Sequence, residues 1–148
     1  MTGAAERPTG DQIHVEDVSP GDELPPAVRR AGRAQLFLYS AATWTPHRIH
    51  YDTEFAHSEG HADVIVHGPL QGAWLTQFLT DWMGPRGRLV SASWQNRASA
   101  LPDEDLTFRG RITAVEGDLV SIEVTETNPA GDVLMPARGV VRLPRRTG

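Results

Sequence analysis

A continuous apolar helix in the middle of the chain limits what this sequence can fold into. Gly68-Pro69 opens the helical pattern with proline at its first position, where the missing N–H costs nothing, and Gly84-Pro85 ends it. Between these boundaries the apolar side chains cover nearly the whole circumference: Leu70, Ala73, Trp74, Leu75, Phe78, Leu79, Trp82 and Met83. A helix that is apolar on most sides is buried on most sides. The rest of the chain must therefore supply a surface that encloses it.

The sequence after this helix has the pattern of β-strands separated by turns. Val120, Ile122 and Val124 alternate with polar residues, which is typical of a strand with one buried and one solvated face. Turn signals rich in proline, glycine, asparagine and aspartate separate the segments. The pattern predicts four strands, over Leu89–Ala98, Asp105–Val115, Asp118–Thr127 and Val133–Leu143.

Before the central helix the sequence predicts shorter elements. Pro25-Pro26 precedes a segment that we expect to form an edge strand around Ala27–Ala31, because proline is tolerated at sheet edges. The apolar spacing in Ala34–Thr43 predicts a short buried helix. Residues 45–66 are too polar and irregular for a core element. There, Asp52 is expected to cap one or two helical turns that end at Gly60.

Together these elements predict an α+β hot-dog fold, in which an antiparallel sheet of about five strands curls around the helix at about 68–83. With 148 residues and 39% hydrophobic content, the chain is expected to form one domain over 13–148, preceded by a disordered lead-in over 1–12. A lone sheet of this kind leaves one face and one edge unprotected. We therefore expect a dimer.

Composition excludes several classes of function. The net charge of −5 leaves no basic stripe, so nucleic acid is not an expected partner. No apolar run approaches the length of a spanning helix and the first ten residues are polar, so we expect no membrane partner and a cytoplasmic location. The chain has no cysteine, which excludes disulfides and thiolate metal sites.

Five of the six histidines fall within 21 residues, between positions 47 and 67. His47 and His50 lie close to Asp52, an arrangement that offers two imidazoles titrating near neutral pH and a carboxylate to orient one of them. The alternative is a pair of ordinary surface histidines. His57 and His61 flank a turn and are interpreted as loop residues. Because no third ligand stands at a recognisable spacing, we expect no metal.

The start of the central helix is a second candidate site. Backbone N–H groups at Gly68 and the positive end of the helix dipole favour an anion or a developing oxyanion there. Thr76 lies two turns further on roughly the same face, where its hydroxyl could meet a polar substrate atom. The alternatives are a glycine that only starts the helix and a threonine bonded to its own backbone.

Two motifs carry a family resemblance. The segment 36–52 ends in Thr-Pro-His-Arg-Ile-His-Tyr-Asp, and the segment 64–70 reads Val-Ile-Val-His-Gly-Pro-Leu. These motifs and the interval between them resemble the MaoC-like hydratase/dehydratase family, over about residues 15–144. Within that family they are similar to the branch of itaconyl-CoA and mesaconyl-C4-CoA hydratases and 3-hydroxyacyl-thioester dehydratases.

The resemblance implies a hot-dog fold, thioester substrates on coenzyme A or acyl carrier protein, and neither metal nor cofactor. The family's catalytic histidine falls on His50, its oxyanion glycine on Gly68, and a hydroxyl residue on Thr76. The family's catalytic aspartate, however, falls on Thr45, which has no carboxylate. The resemblance therefore implies a hydro-lyase with an altered acid/base pair.

Our hypothesis assigns the proton transfers to the histidine cluster. His50 acts as the general base, and His47, or Asp52 acting through it, supplies the second proton-handling group. The Gly68 N–H binds the thioester oxygen. Arg48 and Arg97 are candidates for pairing with a second carboxylate of the substrate, although exposed arginines are common.

Two other functions remain open from the sequence. The chain is alternatively a non-catalytic hot-dog partner subunit of a heteromeric hydratase, which would explain Thr45 and the segment at 80–85. It is also compatible with a hot-dog thioesterase, for which the central helix offers Gln71 and Gln77. The partner is therefore a second hot-dog chain, identical or different, in addition to the acyl thioester.

Overall fold

One antiparallel sheet of five strands forms the body of the computed structural model, which describes residues 11–147. The strand order is β1-β3-β4-β5-β2. The strands are β1 (Ala27–Arg29), β2 (Arg88–Trp94), β3 (Leu106–Glu116), β4 (Leu119–Thr127) and β5 (Val133–Arg142). All five predicted strands are present, and β1 is an edge strand as expected. β2 is shorter than predicted, since it ends at Trp94 rather than at Ala98.

Three helices accompany the sheet: α1 (Arg33–Ala42), α2 (Thr53–Ser58) and α3 (Gly68–Met83). The bounds of α3 agree with the prediction from the sequence. α2 begins at its Asp52 cap, whose Oδ1 accepts a hydrogen bond from the Phe55 N–H at 3.0 Å. Gly60 then adopts a φ of +88°, which glycine tolerates without strain.

The prediction that the first helix is buried is wrong for most of its surface. In α1 only Leu36 and Ser40 are buried, while Phe37 is 57% and Leu38 is 64% exposed. The helix exists where the apolar spacing placed it. The apolar residues of α1 lie on two faces of the helix. The rest of the described chain packs against the face with Leu36 and leaves the face with Phe37 and Leu38 exposed.

The central helix lies against the sheet because a glycine allows close approach. A side chain at Gly72 would run into the indole ring of Trp94 on β2, so that α3 and β2 can touch only with glycine at this position. The buried face of α3 meets the inward-facing residues of β3, β4 and β5, which include Phe108, Ile112, Val120, Ile122, Val124, Ala137 and Val141. This arrangement of a sheet around one apolar helix is the predicted hot-dog fold.

Only part of the predicted lead-in over 1–12 can be compared with the structure, because residues 1–10 lie outside the described residues. Gln12 connects to the end of α3. Its side-chain amide donates to the Met83 carbonyl at 2.9 Å, and its amide oxygen accepts from the Arg86 N–H at 2.7 Å. Among the described helices, none is long and apolar enough to cross a membrane.

Candidate active site

A single turn of 3-10 helix, Arg48–His50, places the imidazole of His50 in a buried position with 8% exposure. Its Nδ1 lies 2.8 Å from the carbonyl oxygen of Ile65. Because a carbonyl only accepts hydrogen bonds, Nδ1 carries the hydrogen and Nε2 keeps its lone pair. Burial lowers the pKa of His50, although the bond to Ile65 opposes that shift. His50 is therefore a neutral base near pH 7.

The chain segment before α3 is held on both sides by backbone hydrogen bonds. Ile65 N–H donates to the Ile49 carbonyl at 3.0 Å, and Val66 N–H donates to the Ala100 carbonyl at 2.8 Å. The segment therefore connects the turn that carries His50 to the loop that follows β2. This connection sets the position of His50 relative to the first turn of α3.

His67 is a site residue that the sequence did not reveal. It is fully buried, its ring stacks on that of His50, and its Nε2 lies 2.7 Å from the hydroxyl of Ser40. Burial lowers the pKa of His67 to about 4, so this imidazole is neutral near pH 7. The sequence signals for His67 are its place after the apolar run Val64-Ile65-Val66 and its position in the Val-His-Gly-Pro motif.

A cavity of about 340 Å³ brings His50 and the first turn of α3 together. Its other residues come from the segment before α3 and from the loop after β2. The lining consists of His50, Ile65, Val66, Gly68, Gln71, Asn96, Arg97, Ala98 and Ser99. Two of the predicted site residues, His50 and Gly68, therefore share one cavity wall.

Gly68 is the first residue of α3, so its N–H has no acceptor within the helix. A Cβ at this position would lie 2.7 Å from the Oδ1 of Asn96, which is too close for an ordinary contact. Glycine therefore lets the loop after β2 approach the helix start. The positive end of the helix dipole points toward the same wall, which suits a developing negative charge.

The structure does not bring His47 and Asp52 to the cavity wall. His47 is exposed, with its ring centroid 6.3 Å from that of His50, and its Nδ1 accepts from the Ile49 N–H at 3.3 Å. The Asp52 carboxylate caps α2 and forms an ion pair with Arg48 at 2.7 Å. Within residues 11–147 it forms no hydrogen bond to either imidazole, and its oxygens accept from Arg48 and from the Phe55 N–H.

Three further predicted residues also lie outside this wall. The Thr45 hydroxyl is 2.8 Å from that of Thr43, and the Thr76 hydroxyl donates to the Gly72 carbonyl of its own helix at 3.0 Å. The Arg48 guanidinium is held by Asp52 and lies 4.6 Å from the centre of the Phe55 ring. Each of these polar groups is satisfied locally.

The two glutamines of α3 have different surroundings. Gln71 is 2% exposed and lies on the cavity wall, and its Nε2 donates to the carbonyls of Val66 and His67. Its Oε1 has no hydrogen-bond partner among the described residues. Gln77 is exposed and accepts a hydrogen bond from Arg29. The sequence singled out both glutamines for thioester hydrolysis, and only Gln71 borders the cavity.

Arg97 is the cationic side chain of the cavity wall. Its Nε donates to the Oε1 of Gln95 at 3.1 Å. Its guanidinium is exposed and is available to an anionic group of a ligand. Within residues 11–147, no group of three histidine, cysteine, aspartate or glutamate side chains is arranged to hold a metal ion.

Two curated proteins resemble parts of this chain. One is the 3-oxo-4,17-pregnadiene-20-carboxyl-CoA hydratase beta subunit of Mycobacterium tuberculosis, 27% identical over 84 residues, which are 57% of this chain and 65% of that protein. The other is the mesaconyl-C(4)-CoA hydratase of Chloroflexus aurantiacus, 49% identical over 43 residues, or 28% of this chain and 15% of that protein. The chain thus matches less than two thirds of the length of either relative.

A solved structure and a family model extend the similarity. The ChsH1-ChsH2 complex of Mycobacterium tuberculosis contains a chain that superposes with a TM-score of 0.77 at 22% identity, covering 84% of this chain and 98% of that one. That likeness shows the same fold. The model of a family described as hydroxyacyl-thioester dehydratase type 2 matches residues 11–102, which is more than half of the chain. This match, together with the two hydratase relatives, confirms the resemblance read from the His-Arg-Ile-His-Tyr-Asp and Val-His-Gly-Pro motifs, and the chain belongs to the hydroxyacyl-thioester dehydratase type 2 family.

Proposed function

We propose that this chain is a hydro-lyase that adds water reversibly to a 2-enoyl thioester of coenzyme A or acyl carrier protein, giving the 3-hydroxyacyl thioester. The observation that carries the proposal is the cavity shared by a neutral buried imidazole, His50, and the start of α3 at Gly68. A base and an oxyanion site on one wall are the two elements that this reaction needs. The hydratase relatives support the same reaction class.

The addition begins at His50. Its Nε2 takes a proton from water while the water oxygen forms a bond to C3 of the enoyl group. The electron pair of the C2–C3 double bond moves toward the thioester, whose oxygen gains negative charge. The Gly68 N–H stabilises that oxygen, an effect worth about 3 kcal/mol per donor in comparable sites. The resulting imidazolium then delivers its proton to C2, and dehydration follows the same steps in reverse.

His47 remains the proposed second proton-handling group, with a restricted role. Because it lies beside His50 and outside the cavity wall, it would act on His50 or on a water molecule and not on C2 directly. Asp52 would contribute by holding Arg48 and capping α2, which supports the turn that carries His50. The binding roles of Thr45, Arg48 and Thr76 stay predictions.

The proposal is tested by assaying the purified chain for hydration of crotonyl-CoA, followed through the loss of the enoyl thioester absorbance. Loss of a general base lowers rates by about 10²- to 10⁴-fold, so we expect His50→Ala to fall in that range. His57→Ala is the matched control, since His57 is exposed on α2 and its Nε2 bonds to the Ala62 carbonyl. Equal rates for both variants would contradict the assignment of His50.

A second hot-dog chain, identical or different, is the partner that we propose. β2 lies at the edge of the sheet, where Val90 is 50% and Trp94 is 41% exposed, and an edge strand offers unpaired backbone groups. One curated relative is named as a beta subunit, and one solved relative is a two-component complex. The exposed edge strand and the two relatives favour a dimer. The beta-subunit name and the two-component complex also favour the alternative that this chain is a non-catalytic subunit.

One set of measurements distinguishes the hydratase, the non-catalytic partner subunit and the thioesterase. A homomer that turns over the enoyl thioester supports the enzyme, whereas turnover only after addition of a second hot-dog chain supports the partner subunit. Molar mass from light scattering gives the oligomeric state in both cases. Hydrolysis by a thioesterase releases free coenzyme A thiol, and hydration does not, so a thiol assay on the same samples distinguishes the two reactions.

A further inference from the structure

The side chain of Gln71 lies on the cavity wall and is buried, and within residues 11–147 it is incompletely hydrogen-bonded. It is 2% exposed, and its Oε1 has no donor. A buried amide oxygen without a donor costs free energy, and such groups in folded proteins call for an explanation. Gln71 lies one turn from Gly68, on the wall that also holds His50.

The orientation of the Gln71 amide is determined by its other end. Nε2 donates to the Val66 carbonyl at 3.2 Å and to the His67 carbonyl at 3.4 Å. A flipped amide would place its oxygen against these two carbonyl oxygens, which offer no hydrogen. The amide is therefore held with its acceptor turned away from the Val66 and His67 carbonyls.

The reaction needs such an acceptor. A water molecule carries two O–H bonds, and His50 takes the hydrogen of one of them. The direction of the second O–H bond decides where the oxygen lone pairs point, and hence whether one of them faces C3. An acceptor on the same wall orients this bond. After the addition, the same hydrogen belongs to the 3-hydroxyl group of the product.

We propose that the amide oxygen of Gln71 accepts a hydrogen bond from the water that adds to the enoyl thioester, and afterwards from the 3-hydroxyl group that this water becomes. The inference rests on the proposed function for the identity of the ligand. Gln71 forms no covalent bond, and the proton that moves is the one taken by His50. The ligand feature that it recognises is an O–H donor at C3 of an acyl thioester.

Equilibrium binding tests the inference without requiring turnover. The full chain is titrated with butyryl-CoA, which has no hydroxyl group, and with both enantiomers of 3-hydroxybutyryl-CoA. We expect one enantiomer to bind about tenfold more tightly than butyryl-CoA, the size of an ordinary hydrogen bond. Gln71→Met, similar in length and without an acceptor, should abolish that preference and leave butyryl-CoA binding unchanged. The unchanged binding of butyryl-CoA reports that the cavity of the variant is intact.

Gln77→Met is the matched control, because Gln77 is on the same helix and bonds to Arg29 at the surface. It should keep the wild-type preference. In turnover, we expect Gln71→Met to lower kcat for crotonyl-CoA about tenfold with little change in KM, because the enoyl substrate has no O–H donor.

Three results would overturn the inference: a wild-type chain that does not distinguish the hydroxylated ligand, a Gln71→Met variant that keeps the preference, or no binding of any of the thioesters. A wild-type chain that shows the preference and has no hydratase activity would refute the proposed function, and it would leave standing only the recognition of a 3-hydroxyl group by Gln71. The two proposals therefore fail on different measurements.

Discussion

The imidazole ring of His50 stacks on that of His67, with ring centroids 3.7 Å apart and ring planes inclined by 18°. Stacking of two imidazoles is compatible with burial when both are neutral, because two adjacent buried cations would repel each other. Burial lowers the pKa of both rings, that of His67 to about 4. The stack therefore supports His50 in the state that a general base requires.

The pH dependence of the reaction should report this environment. As the proposed general base, His50 would act only when neutral, so we expect the rate to fall as the pH decreases through its pKa. Since burial and the neighbouring His47 lower that pKa, we expect the acidic limb of kcat/KM for crotonyl-CoA to lie below the ordinary histidine value of 6.5. His47→Ala removes one of the lowering influences and should move the limb slightly upward. A wild-type limb above 6.5 would contradict the burial of the base.

His47 and His50 should contribute unequally to the rate. His50 lies on the cavity wall and His47 does not, so His47→Ala should lower kcat by about tenfold or less, while His50→Ala lowers it by about 10²-fold or more. Steady-state kinetics of both variants with the same substrate checks the difference. An equal loss in both variants would give His47 a direct role in proton transfer.

The bond between Ser40 and His67 should stabilise the buried stack. Ser40→Ala leaves the His67 Nε2 without a partner, and an unsatisfied buried group costs about 1–3 kcal/mol of unfolding free energy. His67→Phe keeps an aromatic ring and leaves the Ser40 hydroxyl unsatisfied. The double variant should lose less than the sum of the two single losses, because neither polar group then remains.

Urea unfolding of the four proteins in this cycle measures the coupling. Ser58→Ala serves as the control, since its hydroxyl is exposed and bonds locally to the Phe55 carbonyl. Strictly additive losses would mean that Ser40 and His67 do not depend on each other.

Glu126 should make the folded protein less stable as the pH rises. This carboxyl group is fully buried on β4, with no partner for either oxygen among the described residues, and burial raises its pKa to about 7 from 4.5. At a pH between 4.5 and about 7, Glu126 is protonated in the folded state and ionised in the unfolded chain. Stability is therefore lost as the pH rises through this interval, by an amount on the order of 3 kcal/mol.

Glu126→Gln should remove that contribution. We expect the variant to gain stability relative to wild type at about pH 8 and to gain less at about pH 5, as measured by urea unfolding at both values. The comparison with wild type cancels the opposite contribution of His67, whose lowered pKa reduces stability at acidic pH. Glu123→Gln is the control, because Glu123 is exposed on the same strand. A constant difference between Glu126→Gln and wild type would contradict the raised pKa.

Arg97 should select substrates with an additional anionic group on the acyl chain. Its guanidinium lies on the cavity wall, whereas that of Arg48 is held by Asp52. We expect Arg97→Met to raise KM for a mesaconyl thioester about tenfold and to change KM for crotonyl-CoA much less. The control is Arg138→Met, because Arg138 is exposed on β5 and does not line the cavity. An equal increase for both substrates would mean that Arg97 binds a phosphate of coenzyme A instead.

The sequence predicted the elements of the fold because each has a local cause. Proline and glycine bound α3, Asp52 caps α2, and the alternation in Val120, Ile122 and Val124 marks the buried face of β4. That alternation, continued by one step, places Glu126 on the same buried face. The alternation along β4 is therefore a local signal for this buried carboxyl group.

His50 and Gly68 were predicted from a motif and its interval, and the structure places both on one cavity wall. The sequence by itself thus determined the fold, through the periodicity of its apolar residues, and the family, through two short motifs. Whether a polar residue near those motifs borders the cavity depends on contacts between segments distant in the chain. Burial of His67 against Ser40, the outward position of His47, and the unpartnered oxygen of Gln71 were decided only by the tertiary structure, because side-chain direction and desolvation arise from packing and not from spacing along the chain.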